Sequence, residues 1–168
     1  MIEFKTVRYK NFLSTGQQFI EVPLNTGGTT LIIGDNGSGK STMLDALCFG
    51  LFNRPFRDIK KDQIVNSINE KDCLVEIDLQ IGSNNYTIKR GIKPAIFEIW
   101  CNDKMLNQDA ASKDYQKHLE DNILRLNFRS FTQVVILGSS SFVPFMRLRA
   151  RHRRQVVEEI LDIEIFSR

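Results

Sequence analysis

One short string constrains this chain more than any other: Gly34-Asp35-Asn36-Gly37-Ser38-Gly39-Lys40-Ser41, which fits the pattern G-x-x-x-x-G-K-[ST]. The chemistry of that pattern lies in the backbone. Glycines at 34, 37 and 39 permit conformations in which successive N–H groups turn inward around an anion, at the positive end of the helix that follows. Lys40 adds a mobile point charge that can reach β- and γ-phosphates, and the Ser41 hydroxyl can ligate Mg²⁺. The flanks agree with this reading. Thr29-Thr30-Leu31-Ile32-Ile33 is a continuous apolar run, as expected of a strand covered on both faces. After the loop, Met43, Leu44, Leu47, Cys48 and Leu51 recur at helical spacing between Ser41 and Phe52. Strand, glycine loop and helix are contiguous, the context in which such a loop holds a nucleotide.

The remaining elements are read from period and punctuation. Ile2 to Asn11 roughly alternates and predicts a half-buried strand, and Phe19 to Val22 predicts a second short one. Arg54 to Glu70 is irregular and charged, a surface connection with at most a short turn near Asp62 to Asn66. Leu74 to Ile81, Asn84 to Arg90 and Ala95 to Cys101 alternate in succession across two short loops, the pattern of an antiparallel meander. Ser112 to Leu126 predicts an amphipathic helix with Tyr115, Leu119 and Ile123 on one side. Phe128 to Leu137 begins a further element ending at Gly138, and a last helix is expected from about Arg151 to Phe166. No repeat or Pro- or Ser-rich linker divides the chain, so the expected organisation is a lobe over 1–150 followed by a final helix over 151–168.

Composition narrows the function classes. The chain has 168 residues, Lys+Arg 23 against Asp+Glu 20, a net charge of +3 and 42% hydrophobic residues, the balance of an ordinary globular domain. A chain of this size buries about 70% of the surface it would expose unfolded, enough for a core without disulfides or a structural metal. No apolar run approaches the ~20 residues of a membrane span, and Met1-Ile2-Glu3-Phe4-Lys5 is not a signal peptide, so no membrane partner and a cytoplasmic setting are expected. Cys48, Cys73 and Cys101 are widely spaced, without a CxxC pair, and read as packed thiols.

A phosphate loop alone names neither nucleotide nor task. No Asn-Lys-x-Asp guanine reader occurs, and the meander after Leu74 resembles neither the lid nor the acceptor site of a small-molecule kinase. Hydrolysis also needs a carboxylate at the end of a buried strand to hold Mg²⁺. Asp78 lies on an alternating, half-exposed strand and Asp162 in a helical pattern, so each reads as an ordinary surface carboxylate and the second half of the site is missing.

Several strings fall in one order: Lys10-Asn11-Phe12-Leu13-Ser14, Ile33 to Thr42 with its sequel Leu44-Asp45-Ala46-Leu47, Phe128-Arg129-Ser130-Phe131-Thr132-Gln133, and Arg153 to Leu161. In these the chain resembles the N-terminal ATPase lobe of SMC-like, SbcC-type repair ATPases for DNA double-strand breaks. Phe49-Gly50-Leu51-Phe52, Pro55-Phe56-Arg57-Asp58 and Lys89 to Pro94 resemble the recombination-nuclease ATPase subunits of T-even-like bacteriophages.

The resemblance implies an α/β fold, a P-loop NTPase lobe of ABC/SMC type with a mixed sheet, an antiparallel meander and helices, ending at the root of a coiled coil. It implies ATP and Mg²⁺ as ligands, bound by Gly34, Asp35, Asn36, Gly37, Ser38, Gly39, Lys40, Ser41 and Thr42. Lys40 and Gln133 would be catalytic, with Ser41 and Gln133 on the metal. The acidic Walker B strand and the signature serine motif would come from a C-terminal lobe and a second copy in an ATP-dependent homodimer, which accounts for the missing carboxylate. Its other partners would be a nuclease subunit and double-stranded DNA. The stop at Arg168 then reads as a truncation where a coiled coil begins, and the fragment alone as nearly inactive. Leu13 departs from the pattern, since many relatives place a basic residue there; Lys10 is a weak substitute.

Two readings stay open on the residues themselves. Gln133, taken alone, is a polar residue in an apolar run, Phe131 to Leu137, and reads as a hydrogen-bonded strand-end amide. Arg147, Arg149, Arg151, Arg153 and Arg154 suit phosphate recognition, yet such runs are also solvated or ion-paired faces, and Arg154 with Glu158 is an available i,i+4 pair. Arg57, Lys60 and Lys61 could contact DNA or border the nucleotide. The stripe Val156, Val157, Ile160, Leu161 and Ile163 serves either a core or a coiled-coil root. The alternative to an ATPase is a nucleotide-dependent loader without hydrolysis.

Overall fold

The structure, a computed structural model, describes residues 1–106, 112–136 and 145–160. It divides into two compact units, Met1–Ser112 and Lys113–Arg168. The expected end of an element at Gly138, the last helix beyond Ile160 and Asp162 lie outside the described residues.

The first unit is a six-stranded sheet carrying one helix. The strands are β1 (Ile2–Lys10), β2 (Ile20–Pro23), β3 (Cys73–Ile81), β4 (Asn84–Ile92), β5 (Ile96–Cys101) and β6 (Lys104–Met105), in the order β2-β1-β3-β4-β5-β6. Every pairing within it is antiparallel. Alternation along these strands sorts the two faces. Val7, Tyr9, Val75, Ile77, Leu79, Ile88 and Ile99 are buried in register with one another. The intervening positions carry Arg8, Glu76, Lys89 and Glu98, each opposite an unlike charge. The helix α1 (Thr42–Phe52) packs on the sheet, buries Phe49 and Leu51 completely, and sets the Phe49 ring 5.5 Å from that of Phe12. The chain then leaves α1 through Asn53 in the left-handed region, whose N–H donates to Phe49 O.

Residues 29–33 do not form the expected strand. They pair with no strand of the described chain, and Leu31 and Ile33 are 79% and 83% exposed. A strand buried on both faces needs hydrogen-bonding neighbours at its edges as well as apolar side chains. The sheet runs from β2 at one edge to β6 at the other without taking this segment in.

In the second unit, α2 (Ser112–His118) continues as a π-helical turn, Leu119–Leu124, ended by Arg125 in the left-handed region. Tyr115, Leu119 and Ile123 are buried, as their spacing predicts. The helix α3 (Phe128–Val134) starts at Asn127, whose side chain accepts from Ser130 N at 3.0 Å. Gln133 therefore stands on a helix, and the strand-end reading falls: an N-cap oxygen at Asn127 outweighs the strand preference of the Phe, Thr and Val residues after it. A 3-10 turn, Phe145–Arg147, precedes α4 (Ala150–Ile160), which packs against α3 and buries Val156.

Candidate nucleotide-binding site

The string at 34–41 forms an exposed loop that turns directly into α1. Gly37 and Gly39 take φ of +88° and +95°, a region closed to most side chains and the kind of backbone that lets successive amides turn toward one anion. Two hydrogen bonds set the curl: Ser38 N donates to Asp35 O at 3.1 Å and Thr42 N to Gly39 O at 2.9 Å. The amides of Gly37, Gly39, Lys40 and Ser41 make no hydrogen bond within the described residues. They gather at the positive end of α1, so the donor set fits a polyphosphate. Lys40 Nζ donates to Gly34 O at 2.6 Å and Asp35 O at 2.7 Å, which holds its ammonium across the mouth of the loop. Ser41 occupies the N-cap position of α1 without a side-chain capping bond, so its hydroxyl is left for a ligand. Asn36 is exposed at the turn, and Thr42, the first residue of α1, is buried.

The helix that carries the loop is held at several points. Asp45, one turn after Ser41 and 0% exposed, accepts from Arg57 N at 2.9 Å and Arg57 Nε at 2.7 Å, with Arg57 Nη2 2.6 Å away. Further along, Gly50 O accepts from Arg90 Nε at 2.9 Å, and the Arg90 guanidinium stacks 3.7 Å over the Phe97 ring. Between them, burial pushes the Cys48 thiol up to about 12, with Asp45 acting in the same direction and Arg54 against it. Cys48 is thus a packed, protonated group. The spacing of apolar residues could not reveal the Asp45–Arg57 clamp; its one visible signal is a carboxylate inside a buried helical stripe.

Leu13 N donates to Ile64 O at 2.7 Å and Asn66 N to Asn11 O at 2.9 Å, tying the first turn to the 3-10 turn Lys61–Gln63. A cavity of about 580 Å³ opens beside this junction, lined by Leu13, Ser14, Asp62, Gln63 and Asn66 among others. Lys10 lies elsewhere, with Nζ 5.1 Å from the Phe19 ring centroid. Asp78 accepts from Thr87 Oγ1 at 2.6 Å, as a sheet-surface carboxylate does.

Gln133 belongs to the second unit. Its Oε1 is buried and has no hydrogen-bond partner among the described residues, a rare state for a buried carbonyl oxygen and one that a cation or water can relieve. No group of three or more His, Cys, Asp or Glu among the described residues is arranged to hold a metal ion. No helix among the described residues is long and apolar enough to cross a membrane.

A free-amide phosphate loop at the start of a helix packed on an antiparallel sheet defines a P-loop ATPase lobe, and the chain belongs to the AAA domain family, whose model matches residues 6–165. More particularly, it is similar to phage exonuclease subunits and to Rad50 and SbcC proteins. It is 47% identical over 157 residues to exonuclease subunit 2 of Enterobacteria phage T4, and 46% identical to that of Escherichia phage RB69. Each match covers 94% of this chain and 28% of the relative, so the chain spans little more than a quarter of those proteins. It is 26% identical to a DNA double-strand break repair Rad50 ATPase of Methanococcus maripaludis, over 98% of this chain and 16% of that protein. Among solved structures, the Smc head domain with a coiled coil and joint from Pyrococcus yayanosii superposes with a TM-score of 0.64 at 23% identity, over 99% of this chain and 34% of that one. The expected fold class is thereby shown.

Proposed function

We propose that this chain is the N-terminal ATP-binding lobe of an SMC-like ATPase that acts with a nuclease subunit in DNA end processing, recombination and repair. The observation that carries the proposal is the loop with four unbonded amides, the Lys40 ammonium and an uncapped Ser41 hydroxyl, on a chain whose Asp45 and Asp78 carboxylates are engaged elsewhere. In this reading the loop amides and Lys40 bind and orient the β- and γ-phosphates. Ser41 Oγ and Gln133 Oε1 are the protein oxygens offered to Mg²⁺, which when bound neutralises charge developing on the γ-phosphoryl group. The acidic strand and signature serine come from the C-terminal lobe and a second copy. The exposed run Leu31 to Ile33 supports the division, because apolar strand-forming side chains are in place for a sheet that another segment completes. ATP drives dimerisation of two such proteins into a clamp around DNA, and hydrolysis reopens it. Residues 151–168 begin the coiled coil.

Nucleotide-binding and turnover assays test this. The full-length protein is expected to hydrolyse ATP with Mg²⁺ and to lose that activity in Lys40→Ala, while residues 1–168 bind nucleotide and turn it over negligibly. Robust turnover by the isolated lobe would overturn the divided site. A full-length Gln133→Ala protein with unchanged Mg²⁺-dependent turnover would remove Gln133 from it.

A further inference from the structure

The positive charge of the two units is handled differently. In the first, Arg8 lies opposite Glu21 and Glu76, Lys89 opposite Glu76 and Glu98, and Arg57 is bound to buried Asp45. In the second, the segment from Phe145 to Ile160 holds five arginines against two glutamates. Arg154 pairs with Glu158 at 2.6 Å, and Arg153 donates to Met146 O at 3.0 Å. Arg129 on α3, Arg149 just before α4 and Arg151 in its first turn are all exposed, and no carboxylate among the described residues pairs with them. Because α3 packs on α4, these charges converge. Partial burial and the charges of Arg129, Arg149 and Arg151 together hold the imidazole of His152 below its ordinary value of 6.5, so three guanidinium groups from two helices act on one ring.

Like charges gathered without a carboxylate partner among the described residues repel one another, and a polyanion relieves that repulsion. The guanidinium fork matches phosphate oxygens in pairs, and arginine keeps its charge at any working pH. We propose that Arg129, Arg149 and Arg151 form a sequence-independent contact for the phosphodiester backbone of double-stranded DNA. This rests on the reading of the full-length protein as a DNA-acting ATPase and gives that reading a surface. Duplex DNA is the ligand that fits, because it carries about one charge per 1.7 Å of axis and the arginines are exposed charges gathered on and beside α3 and α4.

The test is the salt dependence of DNA binding by the full-length protein, loaded with a non-hydrolysable ATP analogue, to a labelled duplex of mixed sequence. Replacing the three arginines by glutamine is expected to reduce the slope of log K against log salt by about 0.9 for each phosphate that is no longer neutralised, roughly 2.7 in all. Between about 50 and 200 mM salt, the wild type then weakens about 40-fold more than the triple variant. Replacing all three by lysine is expected to keep the wild-type slope, and Arg151→Gln alone gives a step of about 0.9 should the triple glutamine protein fail to fold. Nucleotide binding at the phosphate loop serves as the folding control. A triple glutamine protein that keeps the wild-type slope overturns the patch and leaves the ATPase reading standing. A wild-type protein that binds no duplex overturns both. Single-stranded DNA bound as tightly, with the same dependence on the three arginines, overturns the duplex assignment.

Discussion

Substituting Gly50 by alanine tests how closely α1 is held to the sheet. A methyl carbon at position 50 would stand 2.4 Å from Ile77 Cδ1, and 3.2 Å from both Ile77 Cγ1 and Val75 Cγ1. Neither Ile77 nor Val75 has any exposed surface, so the Ile77 methyl has no free space to swing into and either the rotamer or the helix must shift. Overpacking of this kind costs about 1–3 kcal/mol, and alanine returns about 0.8–1.0 kcal/mol of helix propensity, leaving Gly50→Ala destabilised by roughly 0–2 kcal/mol, toward the upper end for a contact as close as 2.4 Å. A shift of α1 also stretches the 2.9 Å bond from Arg90 Nε to Gly50 O. Ile77→Val removes the colliding Cδ1 at a cost of its own of about 0.5–1.5 kcal/mol. The double variant is therefore expected to be close in stability to Ile77→Val alone, with a favourable coupling of about 1 kcal/mol. Urea unfolding followed by Trp100 fluorescence measures this, since Trp100 is the sole tryptophan and lies on β5 of the same sheet. Additive effects of the two substitutions would refute the collision as the cause. Because α1 carries the phosphate loop, nucleotide affinity is expected to fall in Gly50→Ala and to recover in the double variant.

Three further outcomes follow from the geometry. Arg57→Ala leaves a carboxylate with 0% exposure without its counter-charge, held only by the residue-57 N–H, and is expected to cost about 3–5 kcal/mol, whereas Asp45→Ala leaves that N–H and a 43% exposed guanidinium that water can take up and costs about 2–3 kcal/mol. The reverse order in denaturant midpoints would count against the clamp. Burial pushes both Cys48 and Cys73 up to about 12, so at pH 8 they stay protonated; iodoacetamide is expected to label Cys101 in the native chain and all three thiols only after denaturation, as read by mass. His152 is expected to stay neutral to lower pH than an ordinary imidazole, and Arg129→Gln to raise its titration midpoint by removing a nearby positive charge. Histidine NMR signals followed against pH check both, and an unmoved midpoint would separate Arg129 from the arginines of α4.

What was legible in the sequence was local. The phosphate loop is carried by glycines and a lysine at fixed offsets, and α1 by apolar residues at helical period. The meander is carried by alternation, and the structure forms it from Cys73 to Cys101 with each neighbouring pair antiparallel. The failures share a cause. Leu31 to Ile33 has the composition of a covered strand, but composition states what a segment can pack against, and the strands that would flank it do not come from the described chain. Phe128 to Val134 is decided by one side-chain oxygen, that of Asn127, acting on Ser130 N. The Asp45–Arg57 clamp joins residues twelve apart across a turn, a separation with no periodic signature.

Three features of the described chain are left incomplete in the same sense. The loop amides and Gln133 Oε1 make no hydrogen bond among the described residues, and Leu31 and Ile33 are exposed. Fully burying one such aliphatic side chain is worth about 1.5–3 kcal/mol, so covering both adds several kcal/mol to any association that does so. On the proposed reading the missing groups arrive from other segments, and the same events that complete the sheet and the site supply the carboxylate that this lobe withholds. Asp45 cannot serve, because Arg57 occupies it from two directions, and Asp78 is bound to Thr87 on the sheet surface. Nucleotide binding then belongs to the lobe alone and turnover to the assembly, so a substitution that weakens assembly without touching the loop should lower kcat and leave nucleotide affinity of the lobe unchanged.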